Sequence, residues 1–285
     1  MSSRSGSIRD VESAFYETVG QDQYVATAAT VGPWSTDAQH GGPPSALAAR
    51  ALERHEPDSR QRLARVAIDI LRPIPVAKLS LRTQMIRPGR RVALVEAVME
   101  AGGQEVLHAR GWRIERSAGE VPEVPDLTGS FLPGPVPPGS SGPPPAIFDR
   151  DLRGYLAEIE WRFMARQPGE SPASGESGIV GAAGQAAWTR PRIPLLSGED
   201  SSPMPRALLV ADSGSGLGAA LPPLEYLFIN VDLTVVLPRD PVGDWLLLES
   251  STTVGSDGTG LATTRLSDPA GACGRGWQTL LVARR

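Results

Sequence analysis

The sequence predicts an α+β protein in which one chain carries the same antiparallel sheet twice, each copy wrapped around a central helix. Three observations lead there. First, RVAIDILRPIPVAKLSLRTQMIRPGRRVALVEAVMEAGGQEVLHARGWRI in the N-terminal half is matched by FINVDLTVVLPRDPVGDWLLLESSTTVGSDGTGLATTRLSDPAGACGRGWQTL near the C-terminus. Each segment sets an Asp in an apolar strand (Asp69, Asp232), turns at a Pro, and ends in Gly-Trp (Gly111-Trp112, Gly276-Trp277). The Asp-to-Trp separation is 43 residues in one and 45 in the other, a domain-sized unit rather than a solenoid period. Second, an apolar helix precedes each segment. Third, the stretch 117–146, with VPEVPDLTGSFLPGPVPPGSSGPPPA as its greater part, is rich in Pro, Gly and Ser and reads as a linker. Strand, buried helix and antiparallel meander is the element order of a hotdog, so the chain reads as a double hotdog with domains at 11–116 and 147–285.

The elements follow in order. Residues 1–10 are polar and expected to fray. A short segment at Val11–Val19 leads to a strand at Tyr24–Val31. Gly41-Gly42 then open a helix, with Pro43 and Pro44 in its first turn, where amide donors are not needed. Its body, Ser45–Arg54, is nearly all Ala and Leu, the composition of a helix buried on all sides against a sheet. Strands are expected at 62–72, 77–87, 91–101 and 104–116, punctuated by Pro75, Pro88-Gly89 and Gly102-Gly103. Beyond the linker, 156–163 and 186–193 read as strands. Residues 201–218 read as a helix with Ser202 as N-cap and Pro203 in its first turn. The Asp232 meander closes the chain.

Composition narrows the partners. A net charge of −4 with a pI near 5.5 and no long basic stripe argue against nucleic acid or an anionic membrane. No run approaches 18 apolar residues and MSSRSGSIRD lacks a signal-peptide core, so a cytoplasmic protein is expected. Cys273 is the only cysteine, and the three histidines are far apart, so neither a disulfide nor a metal centre is expected. No P-loop, dinucleotide fingerprint or GxSxG elbow occurs, and no cofactor is expected.

The segments GPWSTDAQHGGPPSALAARALE, RPRIPLLSGEDSSPMPRALLVADSGSGLG, FINVDLTVVLPRDPVGDWL and GWQTLLVARR resemble type II, TesB-like acyl-CoA thioesterases. The resemblance covers nearly the whole chain outside the linker. It implies hydrolysis of an acyl-CoA or acyl-carrier thioester by a water held by an Asp, a Thr or Ser, and a Gln from the second hotdog. On this sequence those positions fall on Asp232, on Thr252 or Thr253, and on Gln278. Only one of the two threonines can face the site, since neighbouring strand residues point to opposite faces.

An Asp can take a proton from water, while Thr and Gln can orient that water. Backbone amides at Gly41 and Gly42, at a helix N-terminus, are the candidate oxyanion donors, with His40 beside them as a substrate-facing candidate. Asp212 is read as a cap or turn residue that could also face the groove between the halves. Arg72 is read as ordering its turn, and Cys273 as inert. Two other functions compete: a hotdog dehydratase pairing His40 with Asp232 on a carrier-bound chain, and a non-catalytic acyl-CoA-binding protein. A homo-oligomer is also expected, because hotdog sheets often extend across subunits. Arg113 follows Trp112 where Gln278 follows Trp277, and only the first copy offers His40-Gly41-Gly42. The two halves therefore predict one composite site.

Overall fold

A computed structural model of the chain describes residues 13–117, 121–126, 128, 134–142, 144, 152–165, 185–222 and 225–285. The expected start of the first domain at 11–12, part of the linker, and 147–151 lie outside the described residues.

The first half runs β1 (Tyr16–Gly20), β2 (Gln23–Ala26), α1 (Gly42–Arg54), β3 (Gln61–Ile70), β4 (Lys78–Arg87), β5 (Val92–Ala101) and β6 (Gln104–Glu115). The second runs α2 (Tyr155–Glu158), β7 (Ile159–Phe163), β8 (Gln185–Pro191), α3 (Pro203–Ala211), α4 (Gly214–Leu217), β9 (Tyr226–Asn230), β10 (Asp232–Val236), β11 (Leu246–Val254), β12 (Thr259–Asp268) and β13 (Gly271–Arg284). Among the described residues the strands join in one sheet of order β1-β2-β4-β5-β6-β3-β10-β13-β12-β11-β8-β7, with β9 beside β13. This is the double hotdog. Three sequence expectations shift locally. The strand expected over 156–163 begins only at Ile159, after the short helix α2. The strand from Tyr24 ends at Ala26 and passes into a 3-10 turn over Ala28–Thr30. The helix expected over 201–218 breaks at Asp212-Ser213 into α3 and α4.

The seam between the halves is the antiparallel pair β3–β10, where Val66 faces Val235. Trp112 pairs with Arg65 and Trp277 with Thr234, so Thr234 is the counterpart of Arg65, and Val235 of Val66. The pseudo-twofold axis passes between those two valines. Asp232 is then the counterpart of Leu63, and it faces Asp69 across the seam. The two aspartates are thus opposed rather than equivalent, which corrects the alignment drawn from the sequence. Arg113 and Gln278, each following its Trp, are equivalent.

Helices α1 and α3 pack antiparallel inside the sheet. Ala46, Leu47, Ala48, Ala49 and Leu52 of α1 are fully buried, and each buried leucine contributes about 1.5–3 kcal/mol of transfer free energy. Small residues let the two helices approach: a Cβ on Gly42 would sit 2.2 Å from the Leu209 carbonyl oxygen. At the other end the Ser202 hydroxyl, at the N-cap of α3, donates to the Glu53 carboxylate instead of capping its own helix. Described parts of 117–146 run over the C-terminal half. Asp126 pairs with Arg275 at 2.8 Å, and the Ser140 and Ser141 hydroxyls accept the Phe163 and Ala165 amides, both at 3.0 Å. Among the described residues no helix is long and apolar enough to cross a membrane.

Candidate active site

The N-terminus of α1 meets the C-terminus of α3 at the wall of a cavity of about 440 Å³. Pro43 and Pro44 carry no N–H, so this helix end presents only the Gly41 and Gly42 amides ahead of Ser45, whose amide bonds to Gly41 O. That economy allows the end to be buried. The Gly42 N–H reaches His40 Nδ1 at 3.1 Å, and the Gly41 N–H finds no acceptor among the described residues.

Facing these amides is Asp212, the C-cap of α3, only 4% exposed. A carboxylate at a helix C-terminus opposes that helix's dipole, and burial adds several kcal/mol of cost unless it is paired. Its partners offset this. Asn230 Nδ2 donates to Oδ1 at 2.8 Å, Gln278 Nε2 donates to Oδ1 at 3.1 Å, and His40 Nδ1 lies 3.0 Å from Oδ2. The positive end of α1 lies alongside: a Cβ on Gly41 would be 2.8 Å from Oδ2. Gln278 is fixed from both sides, since its Oε1 accepts the Ser215 amide at 3.1 Å and its Nε2 also bonds Asp212 O at 3.1 Å. It thereby pins the turn between α3 and α4. A second glycine closes the turn from behind, because a Cβ on Gly214 would stand 2.1 Å from Thr264 Oγ1.

The cavity is composite, walled by Ile70–Ile74 from the first half and Leu227–Val231 from the second. Its polar end holds His40, Asp212, Ser213, Ser215 and Asn230, and the rest is mainly apolar, with Trp34, Leu71, Leu156 and Phe228 among the lining. A pocket of this size, apolar apart from a few converging polar groups, has the form of a small-molecule site.

Two family models match: the acyl-CoA thioesterase N-terminal domain over residues 30–114 and the acyl-CoA thioesterase C-terminal domain over residues 132–282. The chain belongs to the acyl-CoA thioesterase family. It is a thioester hydrolase. Among solved structures it is similar to a protein assigned as a thioesterase II in Thermobifida fusca YX (18% identity, 95% of this chain and 96% of that one, TM-score 0.69). It is also similar to the acyl-CoA thioesterase II TesB2 of Mycobacterium marinum (15%, 95% and 95%, 0.63). The tesB protein of Mycobacterium avium subspecies paratuberculosis gives 17%, 94% and 96%, and 0.63. At these identities the likeness establishes the fold. A search of curated proteins gave no match.

In this thioesterase the structure brings His40, Gly41 and Gln278 to Asp212, but three expected residues stand elsewhere. Asp232 is off the cavity wall, and its carboxylate accepts the Thr279 amide at 2.5 Å and the Thr279 hydroxyl at 3.3 Å. Strand alternation would put it on the face of Asn230, but a bulge intervenes: between Asn230↔Leu280 and Thr234↔Trp277, the three residues Val231, Asp232 and Leu233 oppose only Gln278 and Thr279 of β13. Thr253 is exposed, opposite Leu261 on β12, while Thr252 is buried with its hydroxyl unpartnered, and neither lines the cavity. The hydroxyls behind the α3–α4 turn are Ser250 and Thr264, 2.9 Å apart. Gly42 contributes its amide and a close helix contact without lining the cavity.

Sequence reasoning missed Asn230 and gave Asp212 only a minor place. The available signal was an acid ending an apolar helix, in LLVADSGSG. Arg72 lines the cavity and donates to Gln104 at 3.1 Å, so it both orders its turn and touches the site. At the pseudo-equivalent place in the first half, Arg113 donates to the Leu52, His55 and Glu56 carbonyls, closing the end of α1 with a guanidinium. Among the described residues the His–Asp contact at a helix junction therefore occurs on one side of the pseudo-dyad. No three His, Cys, Asp or Glu among the described residues cluster at ligating distance.

Proposed function

We propose that this thioesterase hydrolyses acyl-CoA thioesters by direct attack of water, with the acyl chain in the apolar cavity and the thioester carbonyl at the junction of α1 and α3. The observation that carries the reading is the buried Asp212 carboxylate on the cavity wall, facing the N-terminus of α1. Asp212 acts as general base on the water. Asn230 bonds Oδ1 through its Nδ2 and keeps its own carbonyl to hold that water, while Gln278, behind the wall, fixes Asp212 in place. As the tetrahedral intermediate forms, the free Gly41 N–H, backed by the α1 dipole, takes the oxyanion, a contribution of about 2.7–4 kcal/mol for one such donor. Collapse of the intermediate expels the CoA thiolate, which takes up the proton held by Asp212.

This reading invokes no metal and no cofactor. It keeps the division into 11–116 and 147–285, a cytoplasmic setting in lipid metabolism, and self-association as proposals. A carrier-bound thioester is the alternative substrate. The 3.0 Å contact between His40 and Asp212 supports a second reading, a dehydratase in which the His removes a proton from the acyl chain and the Asp serves the departing hydroxyl.

The test is single turnover in ¹⁸O-water with acyl-CoAs of graded length, reading products by mass spectrometry. Direct hydrolysis gives free CoA and an acid carrying one ¹⁸O. Label in Asp212 with unlabelled acid would instead show a covalent anhydride, and an unsaturated thioester without free thiol would establish the lyase.

A further inference from the structure

We propose that Tyr155 is a positioning residue for His40, holding the imidazole so that one ring nitrogen, Nδ1, stands between the Gly42 amide and Asp212. The proposal rests on the reading of the His40–Asp212 junction as the reacting end.

The two rings stack with centroids 3.8 Å apart and an interplanar angle of 11°. Both residues hang from consecutive carbonyls of one short segment: the His40 amide bonds Thr30 O at 2.8 Å, and the Tyr155 amide bonds Val31 O at 3.0 Å. Gly154, with φ +52°, admits the chain there, because a Cβ would lie 2.4 Å from the Val31 oxygen. At its far end the Tyr155 hydroxyl donates to Leu209 O at 2.8 Å, in the last turn of α3, and stands 2.9 Å from Ser213 Oγ. Tyr155 is fully buried, and burial pushes its phenol well above the ordinary value, so it remains a neutral strut. The ring thus ties the first-half segment carrying His40 to the helix end carrying Asp212.

Orientation matters because His40 Nδ1 has two suitors, the Gly42 N–H at 3.1 Å and Asp212 Oδ2 at 3.0 Å. One ring nitrogen cannot accept from the first and donate to the second at once. With the proton on Nδ1 the imidazole donates to Asp212 and no longer accepts from the Gly42 amide. With the proton on Nε2 the Gly42 amide is occupied. A ring free to rotate would leave Nδ1, lose this coupling, and let Asp212 shift.

The experiment compares Tyr155→Leu, Tyr155→Met and Tyr155→Phe, each alone and with His40→Ala. It uses the acyl-CoA hydrolysed fastest by wild type and ¹⁵N spectra of the His40 ring. The unstacked variants are expected to melt cooperatively and to lose roughly 10- to 100-fold in kcat, the scale of about 1 Å of misplacement. KM should stay within about threefold, marking a loss felt in the transition state. Tyr155→Phe, which keeps the stack, should recover most of the rate, and the His40 nitrogens should report a changed tautomer mixture only when the stack is gone. In the His40→Ala background the Tyr155 variants should add no further loss. Equal losses in both backgrounds, a Phe variant as poor as Leu, or unchanged His40 signals would overturn the proposal. If one unstacked variant fails to fold, the other carries the comparison. If wild type hydrolyses no acyl-CoA, the proposed function fails, and the tautomer spectra still decide the role of Tyr155.

Discussion

Gly41→Ala adds a single methyl group at the junction of the two helices. Gly41 has φ −66° and ψ −17°, a conformation alanine adopts freely, so the backbone carries no new strain. The Cβ would arrive 2.8 Å from Asp212 Oδ2, 2.9 Å from Oδ1 and 3.0 Å from Cγ. Since ordinary contact begins at about 3.5 Å, the carboxylate must retreat by roughly half an ångström. It has little room, because Asn230 and Gln278 hold Oδ1 from the other side. Stretching one charge-assisted bond costs about 1.5–3 kcal/mol. A misplaced catalytic group costs up to about 100-fold in rate. Thiol release from acyl-CoA by Gly41→Ala should therefore fall roughly 10- to 100-fold, while its thermal melt stays cooperative and drops by no more than about 10 °C. Wild-type turnover in this variant would show that the Gly41–Asp212 contact plays no part in catalysis.

Two further predictions concern the scaffold. Asp268 is fully buried; burial pushes its carboxyl up, but the Arg239 guanidinium and the Val242 and Ala270 amides outweigh this and hold it below the usual range. Its contribution to stability is therefore complete above the unfolded carboxyl value of about 3.9 and is lost as pH falls through the lower folded value. Arg239→Gln should cost about 3–5 kcal/mol in urea unfolding at pH 7 by stranding the carboxylate, and the difference from wild type should shrink in acid. Burial pushes the Cys273 thiol up to about 12, so an alkylating reagent at pH 8 should label it in urea and leave the native protein unlabelled.

Much of the architecture was legible because it follows from local chemistry. The Gly-Gly-Pro-Pro run ahead of an Ala-Leu stretch located α1, and turn residues located β3 to β6, within two residues of the observed ends. The equivalence of Arg113 and Gln278 also followed from the Gly-Trp that precedes each, and the structure gives them parallel tasks at the ends of α1 and α3. The acid was harder to place. Asp232 sits in an apolar strand two residues after Asn230, and plain alternation would send both side chains to one face. The bulge that separates them comes from the pairing with β13, which the strand's own residues do not announce. Asp212 was obscured for a related reason. A polar residue ending an apolar helix reads as a cap, and only the arrival of α1 and β9 at that point turns the cap into the centre of a site. For the threonines the question is register: Thr252 shares the buried face of Ser250, two residues along β11, and Thr253 is exposed, and neither lines the cavity.

The most direct measurement is steady-state thiol release by Asp212→Asn beside Asp232→Asn. Both substitutions keep size and lose charge. The site described here predicts that Asp212→Asn loses at least about 100-fold in kcat, the lower end of the range for a general base, while Asp232→Asn, bonded to Thr279 away from the cavity, stays within about threefold of wild type. The reverse order, with Asp232→Asn inactive and Asp212→Asn active, would contradict it.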